Sequence, residues 1–172
     1  MTKTKFLGWA TEELLKEGIA VRLVQKRSVK GCAGWFDASE KEFMVCVKHP
    51  DFYSVFVHEF CHFLQWRDDR EWWDKHMTQY ENFLRWVHKT SKIKTGRKEC
   101  QIVELDCDRR AVALIKEKKL NIDLDQYIKK SNSHIFFYLV VEKKRKWPRT
   151  GSGIYEPEVL ACYPARFLKF SK

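Results

Sequence analysis

The stretch VHEFCHFLQW, residues 57–66, is the most informative segment of this chain. It contains His58, Glu59 and His62 in the order H-E-x-x-H. Side chains four residues apart lie on the same face of a helix, so both imidazoles can approach one metal ion. Glu59 lies one step around the helix, where its carboxylate can take a proton from a water molecule on that ion. The stretch therefore predicts a helix with two metal ligands and a general base.

The spacing is informative because histidine is rare in this chain. Six His and fourteen Glu among 172 residues give roughly 0.02 chance matches to H-E-x-x-H, so composition alone does not account for the motif. The alternative is a helix with two half-buried histidines and a surface glutamate. We favour a metal site and predict Zn²⁺, which lowers the pKa of a bound water molecule to about 7.

The segments around this helix predict an α+β fold: a small N-terminal antiparallel or mixed β-sheet packed on the H-E-x-x-H helix, followed by a mainly helical C-terminal half. Apolar spacing, strand-forming runs and turn residues define the expected elements. They are a helix over 9–17, a strand over 19–25, hairpin strands over 32–37 and 43–48, a helix over 51–66, helical spacing over 70–89, an exposed loop over 90–98, a helix over 99–118, and one bent helix or two helices over 123–147.

The length of 172 residues predicts a single domain over 1–172. Within it, 1–66 would hold the sheet and the active-site helix, and 67–98 would be a variable insert. Residues 99–172 would form the helical part that carries the third ligand, and a tail.

Composition limits the classes of partner. The net charge of +10 suits solvated helix ends and loops, and an acidic partner or nucleic acid on a basic surface is the alternative. No apolar run is long enough to cross a membrane, and the N-terminus does not resemble a secretory signal. We therefore predict a cytoplasmic protein with no membrane partner. The six cysteines contain no C-x-x-C pair, so we expect reduced and mostly buried thiols.

A catalytic zinc site usually has three protein ligands, so a third must come from elsewhere. Glu104 and Asp108 share a face of the predicted helix over 99–118: Glu104 could bind the metal while Asp108 orients a ligand imidazole. His76, fourteen residues after His62, is the second candidate. His88 and His134 are further candidates without a positive argument.

The pattern H58-E-x-x-H62 followed by E104-x-x-x-D108 resembles the gluzincin metallopeptidases, and is closest to compact, minimal gluzincins and to small phage-encoded metallopeptidases. The resemblance implies zinc on His58, His62 and Glu104, with Glu59 as general base and Asp108 orienting a ligand. It also implies that an extended substrate peptide binds a sheet edge, here CAGWFD or FMVCVK. A phage-encoded chain would act in the host cell cytoplasm.

A weaker resemblance links HEFCHFLQW and His76 to the SprT-like proteases, which act near DNA. That family usually has Gly after its third histidine, whereas Met77 follows His76 here. A third hypothesis is a binding or regulatory protein that contains the metal without turnover.

We thus predict a zinc metallopeptidase that acts on a peptide or protein substrate. Glu59 would deprotonate the attacking water and pass the proton to the leaving amine. The residue that stabilises the oxyanion is open among Tyr155, Tyr138, His134 and Arg109, and Tyr155 is our choice as a catalytic residue.

Overall fold

A computed structural model describes residues 1–86, 93–146 and 153–169 of the chain. It confirms the α+β class, with a three-stranded mixed sheet near the N-terminus and a mostly helical C-terminal half. The elements are α1 (Lys3–Lys16), β1 (Ala20–Val24), β2 (Gly34–Asp37), β3 (Glu42–Cys46), α2 (Phe52–Asp68), α3 (Arg70–Trp86), α4 (Ile93–Lys118), α5 (Leu124–Lys144) and α6 (Pro157–Ala161).

The chain forms two compact units. Unit 1 comprises Met1–Arg70 and Arg109–Ile122, and unit 2 comprises Glu71–Asp108 and Asp123–Lys172. The long helix α4 contributes residues to both. The single domain expected over 1–172, with its division at 66 and 98, stays a prediction.

The sheet of unit 1 has the strand order β1-β3-β2. Strand β3 pairs in parallel with β1 and antiparallel with β2. The antiparallel pair is the predicted hairpin. Because β3 has a partner on each side, only β2 of the two predicted hairpin strands is an edge. The alternative that FMVCVK forms the substrate edge was therefore wrong.

The apolar face of the sheet packs on α2, as predicted. Phe36 of β2 and Phe43 of β3 are cross-strand partners. The ring of Phe43 lies 5.0 Å from that of Phe56, and the ring of Phe36 lies 5.9 Å from that of Phe63, both on α2. Aromatic contacts of this kind add to the free energy of area burial. They fix the H-E-x-x-H helix against β2 and β3.

Helix α1 begins earlier than the sequence predicted, at Lys3 instead of residue 9. The Thr2 side chain accepts a hydrogen bond from the Lys5 amide and so caps the N-terminus. The predicted end at Gly18 is confirmed. Gly18 has a φ of 73°, and the amides of Gly18 and Ile19 donate to carbonyls of the last turn.

The exposed loop predicted over 90–98 was wrong for residues 93–98, which form the first turns of α4; residues 90–92 lie outside the described residues. Ile93 is only 4% exposed. Arg97 is also buried. Its guanidinium donates to Glu142 at 2.6 Å and to the side chain of Gln101, and these bonds compensate the loss of water. The basic residues of this segment suggested solvent exposure, but one of them, Arg97, is buried in an ion pair with Glu142.

Gly96 lets α3 and α4 approach closely within unit 2. A Cβ atom added there would lie 2.7 Å from Cβ of Phe83 and 3.1 Å from the carbonyl oxygen of Gln79. Phe83 and Ile93 belong to a buried cluster with Cys100, Tyr138 and Val141. A small residue is therefore required where the two helices cross.

One bent helix or two helices were predicted over 123–147, and the described part of this segment forms a single helix, α5. Its buried Asn132 holds the tail: the amide donates to the carbonyls of Pro164 and Arg166, and its oxygen accepts from the amide of Leu168. All six cysteines are free, and four are buried, as predicted. Among the described residues, no helix is both long and apolar enough to span a bilayer.

Candidate metal centre

The two histidines of the motif point at one place. Helix α2 puts His58 and His62 one turn apart, with their Nε2 atoms 3.2 Å from each other and their rings nearly perpendicular, at 89°. His62 is buried and His58 is half-buried. Two imidazole nitrogens in this arrangement can share one ion.

The separation of the two nitrogens fits tetrahedral zinc. Zinc–imidazole bonds of about 2.0–2.1 Å at a tetrahedral angle place two ligand nitrogens about 3.3 Å apart. The 3.2 Å between the Nε2 atoms of His58 and His62 agrees with this value. The donor set and its spacing therefore suit zinc.

Gln65 fixes the orientation of one imidazole. Its side-chain oxygen lies 2.8 Å from Nδ1 of His62, and Gln65 is fully buried. The oxygen accepts from Nδ1–H, so in the neutral ring Nε2 carries the lone pair. A hydrogen bond of this type holds the tautomer and ring plane of a metal ligand. This role of Gln65 was not predicted, although a polar residue three positions after His62 within the apolar run FLQW signals it.

Glu59 lies against strand β2. A Cβ atom added to Gly34 would lie 3.1 Å from Cγ of Glu59 and 2.9 Å from Cγ1 of Val55. Glycine at this position therefore lets the strand pass close to the glutamate. Glu59 is half-buried, so its carboxylate is within reach of a bound molecule.

The negative charge of Glu59 affects the nearby thiol of Cys32. Partial desolvation raises the pKa of Cys32, and the negative charge of Glu59 raises it further. Cys32 therefore stays protonated at neutral pH. This loop, which leads into β2, thus carries a neutral thiol.

His58, His62 and Cys107 form a group that could hold a metal ion. Each residue offers one ligand atom, and these atoms all lie within 4.8 Å of one another. Cysteine sulfur and histidine nitrogen are both zinc ligands. Cys107 was expected only as one of the reduced and mostly buried thiols, because a single Cys without a C-x-x-C partner gives no metal signal.

Glu104 was the predicted third ligand. It is 2% exposed. Its Oε1 accepts hydrogen bonds from the hydroxyls of Tyr80 at 2.8 Å and Tyr138 at 3.2 Å. Burial raises the pKa of both tyrosines, and the negative charge of Glu104 raises it further. Their hydroxyls therefore stay protonated and remain donors. Unit 2 therefore holds this carboxylate in one orientation. Its role as a ligand stays a prediction.

Asp108, the predicted orienting residue, is also buried in unit 2. Its Oδ1 accepts from the hydroxyl of Tyr127 at 2.7 Å, and its Oδ2 accepts from Ser131. The sequence predicted that Glu104 and Asp108 share a face of α4, but it gave no sign of these three tyrosines and the serine around them.

His76, the alternative third ligand, contacts acidic and aromatic neighbours in unit 2. Its Nδ1 lies 2.5 Å from Oε2 of Glu99, and its ring centre lies 4.5 Å from that of Trp72. Among the described residues, neither His76 nor Glu104 belongs to the three-residue group that could hold a metal.

The remaining candidates, for the residue that stabilises the oxyanion and for a further metal ligand, differ in burial. Tyr155 is 50% exposed, whereas Tyr138 is buried. The ring centre of His134 lies 5.3 Å from that of Tyr138, with the two rings tilted by 41°, and Arg109 is exposed. His88 lies outside the described residues. The assignment of the oxyanion donor stays a prediction.

Comparison with models of protein families, with curated proteins and with solved structures finds no match for this chain.

Proposed function

We propose that the chain is a zinc-dependent metallopeptidase that hydrolyses peptide bonds. The observation that carries the proposal is the pair of Nε2 atoms of His58 and His62, 3.2 Å apart, on a helix that also presents the half-buried Glu59. Two ligands and an adjacent carboxylate are the elements that metal-assisted hydrolysis requires.

His58 and His62 would hold the metal, and Gln65 would keep the ring of His62 aligned. When bound, zinc acts as a Lewis acid and lowers the pKa of water to about 7. The resemblance to gluzincins supports Glu104 as the third ligand. The spacing of donor atoms supports Cys107 as the alternative.

Glu59 would act as the general base. Its carboxylate takes a proton from the attacking water and then gives that proton to the leaving amine. The close passage of Gly34 limits the positions that its Cγ atom can adopt. A general base must be held within hydrogen-bond reach of the water, and contact with β2 provides that restraint.

The edge of β2 would align the substrate. The amide of Cys46 donates to the carbonyl of Ala33, and the register continues with Trp35 opposite Met44. In an antiparallel pair, alternate residues point to the partner strand. The backbone groups of Gly34 and Phe36 therefore point away from β3. An extended peptide on this edge would pass next to Glu59, and we propose Tyr155 as the residue that stabilises its oxyanion.

Fluorescently labelled casein, an unfolded protein substrate, provides the test. Zinc-loaded wild-type protein should cleave casein, and Glu59→Gln should lower the rate by about 10²–10⁴-fold, because a general base contributes that much. The variant should still bind one zinc. Glu12→Gln, which changes an exposed glutamate of α1, is the matched control and should keep full activity. Cleavage at the wild-type rate by Glu59→Gln would contradict the proposal.

A further inference from the structure

Strand β1 forms the other edge of the sheet in unit 1. The amide of Ala20 donates to the carbonyl of Lys41, and the carbonyl of Val24 accepts from the amide of Val47. These two bonds and the parallel register show that Ala20, Arg22 and Val24 direct their backbone groups to β3. The amides and carbonyls of Val21 and Leu23 therefore point outward from the sheet.

These outward groups are available for pairing. The pairing with β3 uses none of these groups, and among the described residues no second strand pairs with β1. Leu23 is 50% exposed, although its register partner Val45 is fully buried. An edge strand with unpaired amides and an exposed apolar side chain is a template for another strand.

The segment that contains this edge carries only positive charge. Residues 18–36 include Arg22, Lys26, Arg27 and Lys30 and no acidic residue. All four side chains are exposed. Arg22 donates to Glu42 at 2.5 Å, so that pair is locally neutral. The other three cations lie in the turn that follows the strand, without an acidic neighbour in the sequence.

We propose that the edge of β1 binds an extended, acidic segment of a partner protein by adding it to the sheet as a fourth strand. Backbone hydrogen bonds to Val21 and Leu23 would provide affinity, and carboxylates facing Lys26 and Arg27 would provide selectivity. This surface is separate from the edge of β2 used in the proposed function, so the two inferences stand independently.

Other occupants fit less well. A second copy of the chain would bring the same cations together, and like charges across an interface oppose binding. Nucleic acid would satisfy the cations through its phosphates, but it would leave the outward amides and the exposed Leu23 unused. An acidic strand uses all three features.

The direct test measures binding of a fluorescein-labelled peptide of about ten alternating Glu and Val residues to the full chain by fluorescence anisotropy. Leu23→Pro should weaken binding by at least about tenfold, because proline removes the outward amide, and an edge strand tolerates proline there. Leu23→Thr, which keeps the amide, is the matched control and should bind more tightly than Leu23→Pro. The pair Lys26→Glu and Arg27→Glu should also weaken binding by about tenfold or more.

Amide hydrogen exchange gives a second readout that does not depend on a substitution. In the free protein, the amides of Val21 and Leu23 should exchange faster than those of Arg22 and Val24. The peptide should slow exchange at Val21 and Leu23 selectively. A Lys-Val peptide of the same length should not slow exchange at Val21 or at Leu23.

Three results would overturn the proposal. The first is wild-type affinity for the Glu-Val peptide in folded Leu23→Pro protein. The second is unchanged exchange at Val21 and Leu23 with the peptide bound. The third is binding of a single-stranded oligonucleotide with no binding of the peptide, which would assign the basic segment to nucleic acid.

Discussion

Two helices of this chain each present a pair of polar residues four positions apart, and the pairs differ in what surrounds them. On α2, the Nε2 atoms of His58 and His62 face each other at 3.2 Å. On α4, the carboxylates of Glu104 and Asp108 each accept hydrogen bonds from two hydroxyl groups. The same spacing therefore serves two different arrangements.

The difference shows what a helical spacing can and cannot predict. It predicts that two side chains share a face, because that follows from 3.6 residues per turn. It does not predict the partners supplied by other elements. The histidine pair has the geometry of a ligand site, whereas the carboxylate pair is integrated into the buried hydrogen bonds of unit 2.

The largest expected effect concerns the carboxylate pair. Asp108→Leu should destabilise the protein by about 2–6 kcal/mol, because it leaves the hydroxyls of Tyr127 and Ser131 without their acceptor at about 1–3 kcal/mol each. Glu117→Leu, at a residue whose side chain is 67% exposed on the same helix, should change stability by less than about 0.5 kcal/mol. Urea unfolding followed by circular dichroism measures both. Equal costs for the two variants would show that Asp108 is not integrated as described.

The next effect concerns the histidine pair. Gln65→Leu should weaken zinc binding by about 10–100-fold, the usual cost of losing a group that orients a ligand. Gln65→Glu should keep the affinity or raise it, since a carboxylate also accepts from Nδ1–H of His62. Competition with a chromogenic chelator measures the dissociation constants. Equal affinities in Gln65→Leu and wild-type protein would remove Gln65 from the site.

The smallest expected effect is on stability and concerns Glu42, a carboxylate that pairs with the exposed Arg22. The hydrogen bond from Arg22 lowers the pKa of Glu42. The stabilisation is therefore present above the unfolded pKa of about 4.3 and is lost as pH falls through the lower folded value. Arg22→Ala should cost less than about 1 kcal/mol at pH 7, since the pair is exposed to solvent.

The test of this pair is unfolding at two pH values. The difference between Arg22→Ala and wild-type protein should be largest at pH 7 and should shrink as the pH falls below the unfolded pKa of about 4.3 and through the lower folded pKa of Glu42. A difference that persists unchanged at low pH would mean that Arg22 acts through packing alone.

Much of the fold could be predicted from local sequence. The hairpin follows from strand-forming runs on either side of a polar turn, and the end of α1 follows from Gly18. Helix α2 follows from its apolar spacing. The prediction failed over 93–98 because the charge of that segment suggested solvent. Gln101 lies one turn after Arg97 on α4, a helix that the sequence predicted to begin only at residue 99, and Glu142 reaches Arg97 from α5 through tertiary packing.

The candidate site was predicted less completely. The ligand pair and Glu59 follow from one local motif, since all three lie within a single turn or so of helix. Gln65 is equally local, but its role depends on which imidazole nitrogen it reaches. Cys107 could not be predicted, because the proximity of its sulfur to the histidines depends on packing and not on spacing.

The most direct test of the account is the zinc content of purified protein, measured by atomic emission on wild type and on single variants. We expect one zinc per wild-type chain, loss of zinc in His58→Ala and His62→Ala, and full zinc in His76→Ala. Loss in Glu104→Ala or in Cys107→Ser identifies the third ligand. Stoichiometric zinc in His62→Ala, or its loss in His76→Ala with retention in both α2 variants, would contradict the assignment of the metal centre to this helix.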